Sequence, residues 1–200
     1  MLRRASARGV TLIEILIGLA ILGLLITMGM PSFAAWIANS RVRSAAEGLQ
    51  VGLALARSEA MRRNQNVEFV ITNDVVDLGS VDTVTPAAGG MHWLVRFIDP
   101  ATGLYSLVQS KSGYEGSGRV EGDASLVQVA ASAPQIVFRG MGGTQGLGAS
   151  ATFDFSNPGA GACHTTALAG PIRCLRVQVS VAGQVRMCDP TTAAPDTRTC

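Results

Sequence analysis

Residues 8–31 read RGVTLIEILIGLAILGLLITMGMP, and from Val10 to Met30 the only charge is Glu14. As a helix at about 1.5 Å per residue, that apolar run reaches roughly 30 Å, the thickness of a bilayer's hydrocarbon core. Arg3, Arg4 and Arg8 precede it, and residues 1–9 hold no acid. The N-terminal end is therefore expected to stay cytoplasmic, with the remainder exported. A secretory signal peptide, cleaved near Ser32-Phe33-Ala34-Ala35, would have a shorter apolar region and no use for a carboxylate inside it. A plain membrane anchor leaves Glu14 unexplained. At the bilayer centre an isolated carboxylate costs at least about 2.5 kcal/mol, so it marks a functional position by default.

Outside this run the charge is thin and uneven. Only 15% of residues are charged, 48% are hydrophobic and the formal net charge is +2. Without residues 1–9, thirteen basic residues face fourteen acidic ones. Residues 32–63 are +3, through Arg41, Arg43, Arg57, Arg62 and Arg63 against Glu47 and Glu59, while residues 64–200 are −3. A mildly acidic body is the reverse of the basic footprint of a nucleic-acid-binding domain. With 23 glycines and 5% aromatics, many turns and an aliphatic core are expected, without repeats or low-complexity segments.

The segment Arg8-Gly9-Val10-Thr11-Leu12-Ile13-Glu14, its apolar continuation and Pro31 resemble a type IV prepilin. The resemblance implies a leader over 1–9, cut after Gly9 by a prepilin peptidase, and N-methylation of Val10, where Phe or Met is commoner. It also implies that Glu14 pairs with the N-terminal amine of a neighbouring subunit. A carboxylate in lipid is tolerable when its partner is a cation, and methylation leaves the amine charged. Residues 10–31 are then the transmembrane and assembly helix, which Gly18, Gly23, Gly29 and Pro31 make bendable.

Beyond Pro31 the pattern stays helical over 32–63. Val42, Ala46, Leu49, Leu53, Ala56 and Ala60 follow spacings of four and three, a narrow stripe of small side chains suited to close packing on a sheet. Ser44-Ala45-Ala46-Glu47 has the letters of a capping box but sits within the periodic run. From Asn64 the period changes. Strands are expected at Val67–Ile71, Val75–Leu78, Met91–Ile98, Leu104–Val108, Ser125–Ala130, Gln135–Phe138, Ala151–Phe155, Arg173–Val181 and Val185–Cys188, with a hairpin turn at Asp99-Pro100-Ala101-Thr102-Gly103. The fold class is α+β: a long N-terminal helix packed on antiparallel sheets over 64–200. Ala56-Arg57-Ser58-Glu59-Ala60, the strand after it and the tryptophan hairpin resemble the FimT/FimU minor pilins and the H-type pseudopilins of type II secretion.

Cys163, Cys174, Cys188 and Cys200 all lie in the exported quarter, and an even count there argues for disulfides. A three-residue loop at Ala182-Gly183-Gln184, with Gly183 left-handed, would set Val181 opposite Val185 and Cys188 opposite Gln178. Cys174 would then lie roughly 13 Å from Cys188, too far for a bridge. Of the two pairings that remain, the local one, Cys163–Cys174 with Cys188–Cys200, is preferred over Cys163–Cys188 with Cys174–Cys200.

No catalytic constellation stands out, and no cofactor or metal is called for. His164 beside Cys163 lacks zinc-ligand spacing. Gly146-Leu147-Gly148-Ala149-Ser150-Ala151 matches a dinucleotide-binding string by letters but lacks a following helix; glycines 140, 142, 143, 146 and 148 are expected in turns. His92 is expected exposed or half-buried, with Asp99 a turn residue nearby. Two functions remain in view. One is a structural subunit that helps initiate, prime or cap a type IV pilus, or an H-type pseudopilin, partnered by other pilins or pseudopilins. The other is a DNA-binding minor pilin. FimT proteins of that kind, which this chain resembles, carry a Gly-Arg-x-Arg stretch linked to DNA contact. Here it reads Gly183-Gln184-Val185-Arg186, without the first arginine. Arg173, Arg176, Arg186 and Arg198 remain as a candidate patch, interrupted by Asp189 and Asp196, so the structural role is favoured.

Overall fold

The computed structural model describes residues 10–113, 127–165 and 167–200. The leader, including Gly9, lies outside the described residues, as do positions 125 and 126 of one expected strand. The chain divides into two compact units, Met1–Ile37 and Ala38–Cys200. Helix α1 (Leu12–Arg63) is helical through Pro31, with Glu14 in its first turn and Arg62 and Arg63 in its last. Both placements oppose the helix macrodipole.

In the second unit the expected stripe is the buried face of α1. Ala38, Val42, Ala46, Leu49, Leu53, Ala56 and Ala60 are all buried in the main core. The packing is close because the side chains are small. A Cβ on Gly52 would come within 2.9 Å of the Trp93 ring and 3.0 Å of Phe69. At Gly48 a Cβ would meet only the flexible end of Lys111. The helix ends in a Schellman motif: Asn64 takes a positive φ of 50°, Gln65 N–H donates to the Ala60 carbonyl, and Asn64 N–H to that of Met61.

Two antiparallel sheets follow. Strands β1 (Val67–Thr72), β2 (His92–Ile98), β3 (Tyr105–Lys111), β5 (Gln135–Phe138) and β6 (Thr144–Gln145) form one, in the order β3-β2-β1-β5-β6. Strands β4 (Gln128–Ala131), β7 (Ala151–Ser156), β8 (Leu175–Val179) and β9 (Val185–Cys188) form the other, in that order. Phe69, Ile136, Phe138, Phe153, Phe155, Val177 and Val179 join the helix stripe in one core. The Asp99–Gly103 turn joins β2 to β3 as expected, with Ile98 opposite Tyr105.

Three readings need correction. Val75–Leu78 is not a strand. Asp74 accepts from Thr85 N–H and Oγ1, and Asp77 accepts from Gly79 N–H, so the segment turns within the strap 73–90. Val81 and Val84 from this strap cover Val70 and Leu94 on the outer face of the five-stranded sheet. The β8–β9 register also differs. Val179, not Val181, lies opposite Val185, and Cys188 lies opposite Arg176 rather than Gln178. The Val181 carbonyl accepts from both Thr144 N–H and Oγ1, which holds Val181 in a loop over β6. Gly183 does take a left-handed φ of 76°, and a Cβ there would run into the Gly142 carbonyl. Finally, His92 is buried, its Nδ1 accepting from Gly113 N–H at 3.3 Å.

Two predictions follow from this packing. Overpacked cores lose about 1–3 kcal/mol, whereas Gly→Ala on an open helix face gains up to about 1 kcal/mol. Thermal unfolding of the detergent-solubilised chain should therefore show Gly52→Ala destabilised and Gly48→Ala neutral or stabilised. The second concerns Glu59, whose carboxylate receives Arg62 at 2.6 Å and Arg63 at 2.8 Å. Hydrogen bonds from Arg62 and then Arg63 hold its pKa down at about 2, from an ordinary 4.5. A depressed folded pKa gives stability present above about 4.5 and lost as pH falls toward 2. Midpoints measured from pH 5 to 2 should fall less steeply for Glu59→Gln than for the parent.

Candidate functional site

Three features carry the chemistry of the chain: the start of α1, the outer face of the four-stranded sheet, and a buried ion network on the five-stranded sheet. At the start of α1, Thr11 and Glu14 form a reciprocal pair. Glu14 N–H donates to Thr11 Oγ1 at 3.4 Å, and Thr11 N–H to Glu14 Oε2 at 3.5 Å. These are the two bonds of a capping box, stretched. The motif Thr-x-x-Glu before an apolar run signals it in sequence; the similar letters at Ser44–Glu47 lie mid-helix, where Glu47 faces Arg43 at 4.0 Å. Val10 and the described large apolar residues that follow it are exposed on every side of the helix. A helix apolar all round is one that is covered by something else, lipid or protein. Glu14 is exposed in its first turn, so a second group can approach the carboxylate beside its local bond.

On the four-stranded sheet Arg176, Gln178 and Arg186 share the outer face. Three of the four arginines of the expected patch, Arg176, Arg186 and Arg198, hydrogen-bond through their side chains to other groups of the chain. Arg176 makes a bidentate pair with Asp154 across β7–β8, at 2.7 and 3.0 Å, a hydrogen bond that also raises its pKa. Arg186 donates to Gln178 Oε1 and, at 2.7 Å, to the Cys200 carbonyl. Arg198 pairs with Asp196 at 2.6 Å, and this bond brings the Asp196 pKa down to about 2. Arg173 is exposed, its backbone N–H donating to Asn39 Oδ1 while Asn39 Nδ2 donates to the Pro171 carbonyl. Gln184 sits exposed in the β8–β9 loop, its N–H on Ser180 Oγ.

The cysteines form the bonds Cys163–Cys174 and Cys188–Cys200. The register that pointed to this pairing is not the one observed, since Cys188 lies two residues closer to Cys174 along β8 than expected. What holds Cys200 on Cys188 is the tail itself. Asp189 N–H donates to the Arg198 carbonyl and Asp189 bridges to Thr199, which covers the free edge after β9.

The buried network was not read from the sequence. Arg96, almost fully buried, pairs with Glu68 at 3.0 Å, donates to the Val81 carbonyl at 2.7 Å and stacks over the Tyr105 ring at 3.8 Å. Tyr105 Oη donates to Glu68 Oε1. The signal for it was a lone Glu and a lone Arg in adjacent apolar strands. Its bond to Val81 fastens the strap, so its role is structural. His92 and Asp99 stand at opposite ends of β2, and Asp99 serves the turn by accepting from Ala101 N–H. Among the described residues no three His, Cys, Asp or Glu side chains are grouped to hold a metal ion.

For the loop closed by Cys188–Cys200, with a sequence separation of 12, a chain-entropy estimate gives roughly 3 kcal/mol. The double variant Cys188→Ser, Cys200→Ser should accordingly unfold about 2–4 kcal/mol more easily and expose the tail after Asp189 to limited proteolysis. An intact, protease-resistant tail would show that the backbone bridge alone holds it.

Residues 4–30 match the prokaryotic N-terminal methylation motif. No curated protein sequence matches the chain. The type IV minor pilin FimU of Pseudomonas aeruginosa is 18% identical with a TM-score of 0.51, over 78% of this chain and 94% of FimU. The minor pseudopilin EpsH of the type 2 secretion system of Vibrio cholerae is 14% identical with a TM-score of 0.45, over 76% of this chain and 99% of EpsH. The FimU likeness supports the fold. Residues 45–183, which take in the C-terminal part of α1 and strands β1 to β8, match the family described as type II transport protein GspH, and the chain belongs to that family.

Proposed function

We propose that the chain is a minor pilin, a structural subunit that helps initiate, prime or cap assembly of a type IV pilus. On this reading a prepilin peptidase cuts after Gly9, Val10 is N-methylated, and the apolar helix waits in the inner membrane with the globular unit periplasmic. The observation that carries it is the start of α1: one carboxylate, Glu14, in the first turn of a helix that exposes apolar side chains on every face. Such a helix needs an apolar surround, and its charge needs a cation. A neighbouring subunit supplies both, through its own apolar helix and its N-terminal amine. The chain then acts by assembly and carries no enzymatic role.

The test is incorporation. Glu14→Ala should leave the protein inserted and folded but lower its recovery in sheared surface filaments several-fold. Recovery at the parental level would show that the charge is not needed.

Two further readings have their own observations. The match of residues 45–183 to the type II transport family favours an H-type pseudopilin in a secretion filament. Deletion that halts protein secretion while leaving pili intact would support it. Arg173, Gln184, Arg186 and Arg198 are exposed, which is what favours a DNA-contact patch, while Arg176 and Arg198 already pair with Asp154 and Asp196. A mobility shift that weakens steeply with salt would restore the DNA reading; no shift at low salt is the expected result.

A further inference from the structure

Between Val10 and Ser32 the chain has no aromatic residue, and then Phe33 and Trp36 follow three apart. They lie on one face of α1 with ring centroids 5.8 Å apart and planes 25° apart, and both are open to the surroundings, 62% and 66% exposed. We infer that this stacked pair is an interfacial anchor, seating the end of the apolar helix in the headgroup layer of the bilayer. The inference rests on the membrane-spanning reading of residues 10–31 given above.

Three observations favour lipid as the occupant. The first is spacing: Leu12 to Phe33 is about 32 Å along a helix, so with Leu12 at one boundary of a roughly 30 Å hydrocarbon core, Phe33 stands at the other. The second is chemistry. Stacked rings bury well, but the indole N–H is a donor that hydrocarbon cannot satisfy and the headgroup layer can. The third is continuity. Met30, Phe33 and Trp36 follow one another at three-residue steps, each exposed, and the next charges in sequence, Arg41 and Arg43, come only afterwards. An apolar span ending in an aromatic pair before the first cations has the order of an aromatic belt. A consequence is that the pair sets how deep Glu14 sits at the opposite end.

The test uses the full chain in phosphatidylcholine–phosphatidylglycerol vesicles. The protein has two tryptophans, so Trp93→Phe leaves Trp36 as the only one. Lipids carrying a nitroxide near the headgroup should quench Trp36 several-fold more than lipids labelled near the acyl-chain end. Stronger quenching by the deep label, or by an aqueous quencher alone, would overturn the inference. A second variant, Leu22→Trp with Trp36→Phe and Trp93→Phe, reports on spanning itself. If it is not quenched by the deep label, the membrane reading fails rather than the anchor. Replacing both aromatics (Phe33→Ala, Trp36→Ala) in the Leu22→Trp, Trp93→Phe chain should shift or broaden the depth profile of the residue 22 reporter. An unchanged profile would show that the pair does not set helix depth, and would equally overturn the inference.

Discussion

A helix that is apolar on every face cannot be satisfied by its own chain. Among the described side chains from Val10 to Phe33 the large apolar ones stay exposed, and at roughly 25 cal/mol per Å² that surface is too costly to leave in water. Everything else about the N-terminal unit follows from where the surface goes. Lipid takes it before assembly, and the helices of other subunits take it afterwards on the proposed reading. Glu14 makes the second state specific. A carboxylate is the group that lipid tolerates least and that a neighbouring amine fits best, while its bond to the Thr11 N–H gives it a local partner in the meantime.

The globular unit solves a different problem with the same helix. Its half of α1 presents alanine, valine and leucine at four- and three-residue steps, with Gly52 against Trp93 and Phe69, so the sheets approach closely and aromatic rings fill the space. The opposite face of the five-stranded sheet is closed by the strap 73–90, fastened through Arg96 to Glu68, Tyr105 and the Val81 carbonyl. The second sheet is closed at β9 by the disulfide-tied tail. Arg176 and Arg198 are paired with the carboxylates of Asp154 and Asp196, which offsets two of the four candidate positive charges and weighs against contact with a polyanion.

Where local rules dominate, the sequence was a sufficient guide. The helix stripe is set by residue spacing alone, and the Asp99–Gly103 hairpin by turn chemistry, so both were legible. The left-handed Gly183 was legible too, but the register it closes was not. The Val181 carbonyl is drawn away by Thr144, a contact made across 37 residues of sequence. The strand expected at Val75–Leu78 failed because Asp74 and Asp77 bond to nearby backbone and side chains, and side-chain competition outweighs apolar content in so short a run. Strand β6 is two residues long and carries no pattern to read. The Arg96 network shows only when β1, β2 and the strap are brought together, since neither Glu68 nor Arg96 marks its partner.

The central claim is that residues 1–9 are a leader and that Val10 opens an assembly helix. Intact-mass and N-terminal peptide analysis of the protein purified from its membrane tests this most directly. The account predicts a chain beginning at Val10 with a single methyl on its amine and Glu14 unmodified. A chain that retains Met1, or one that begins near Ala35, would contradict it.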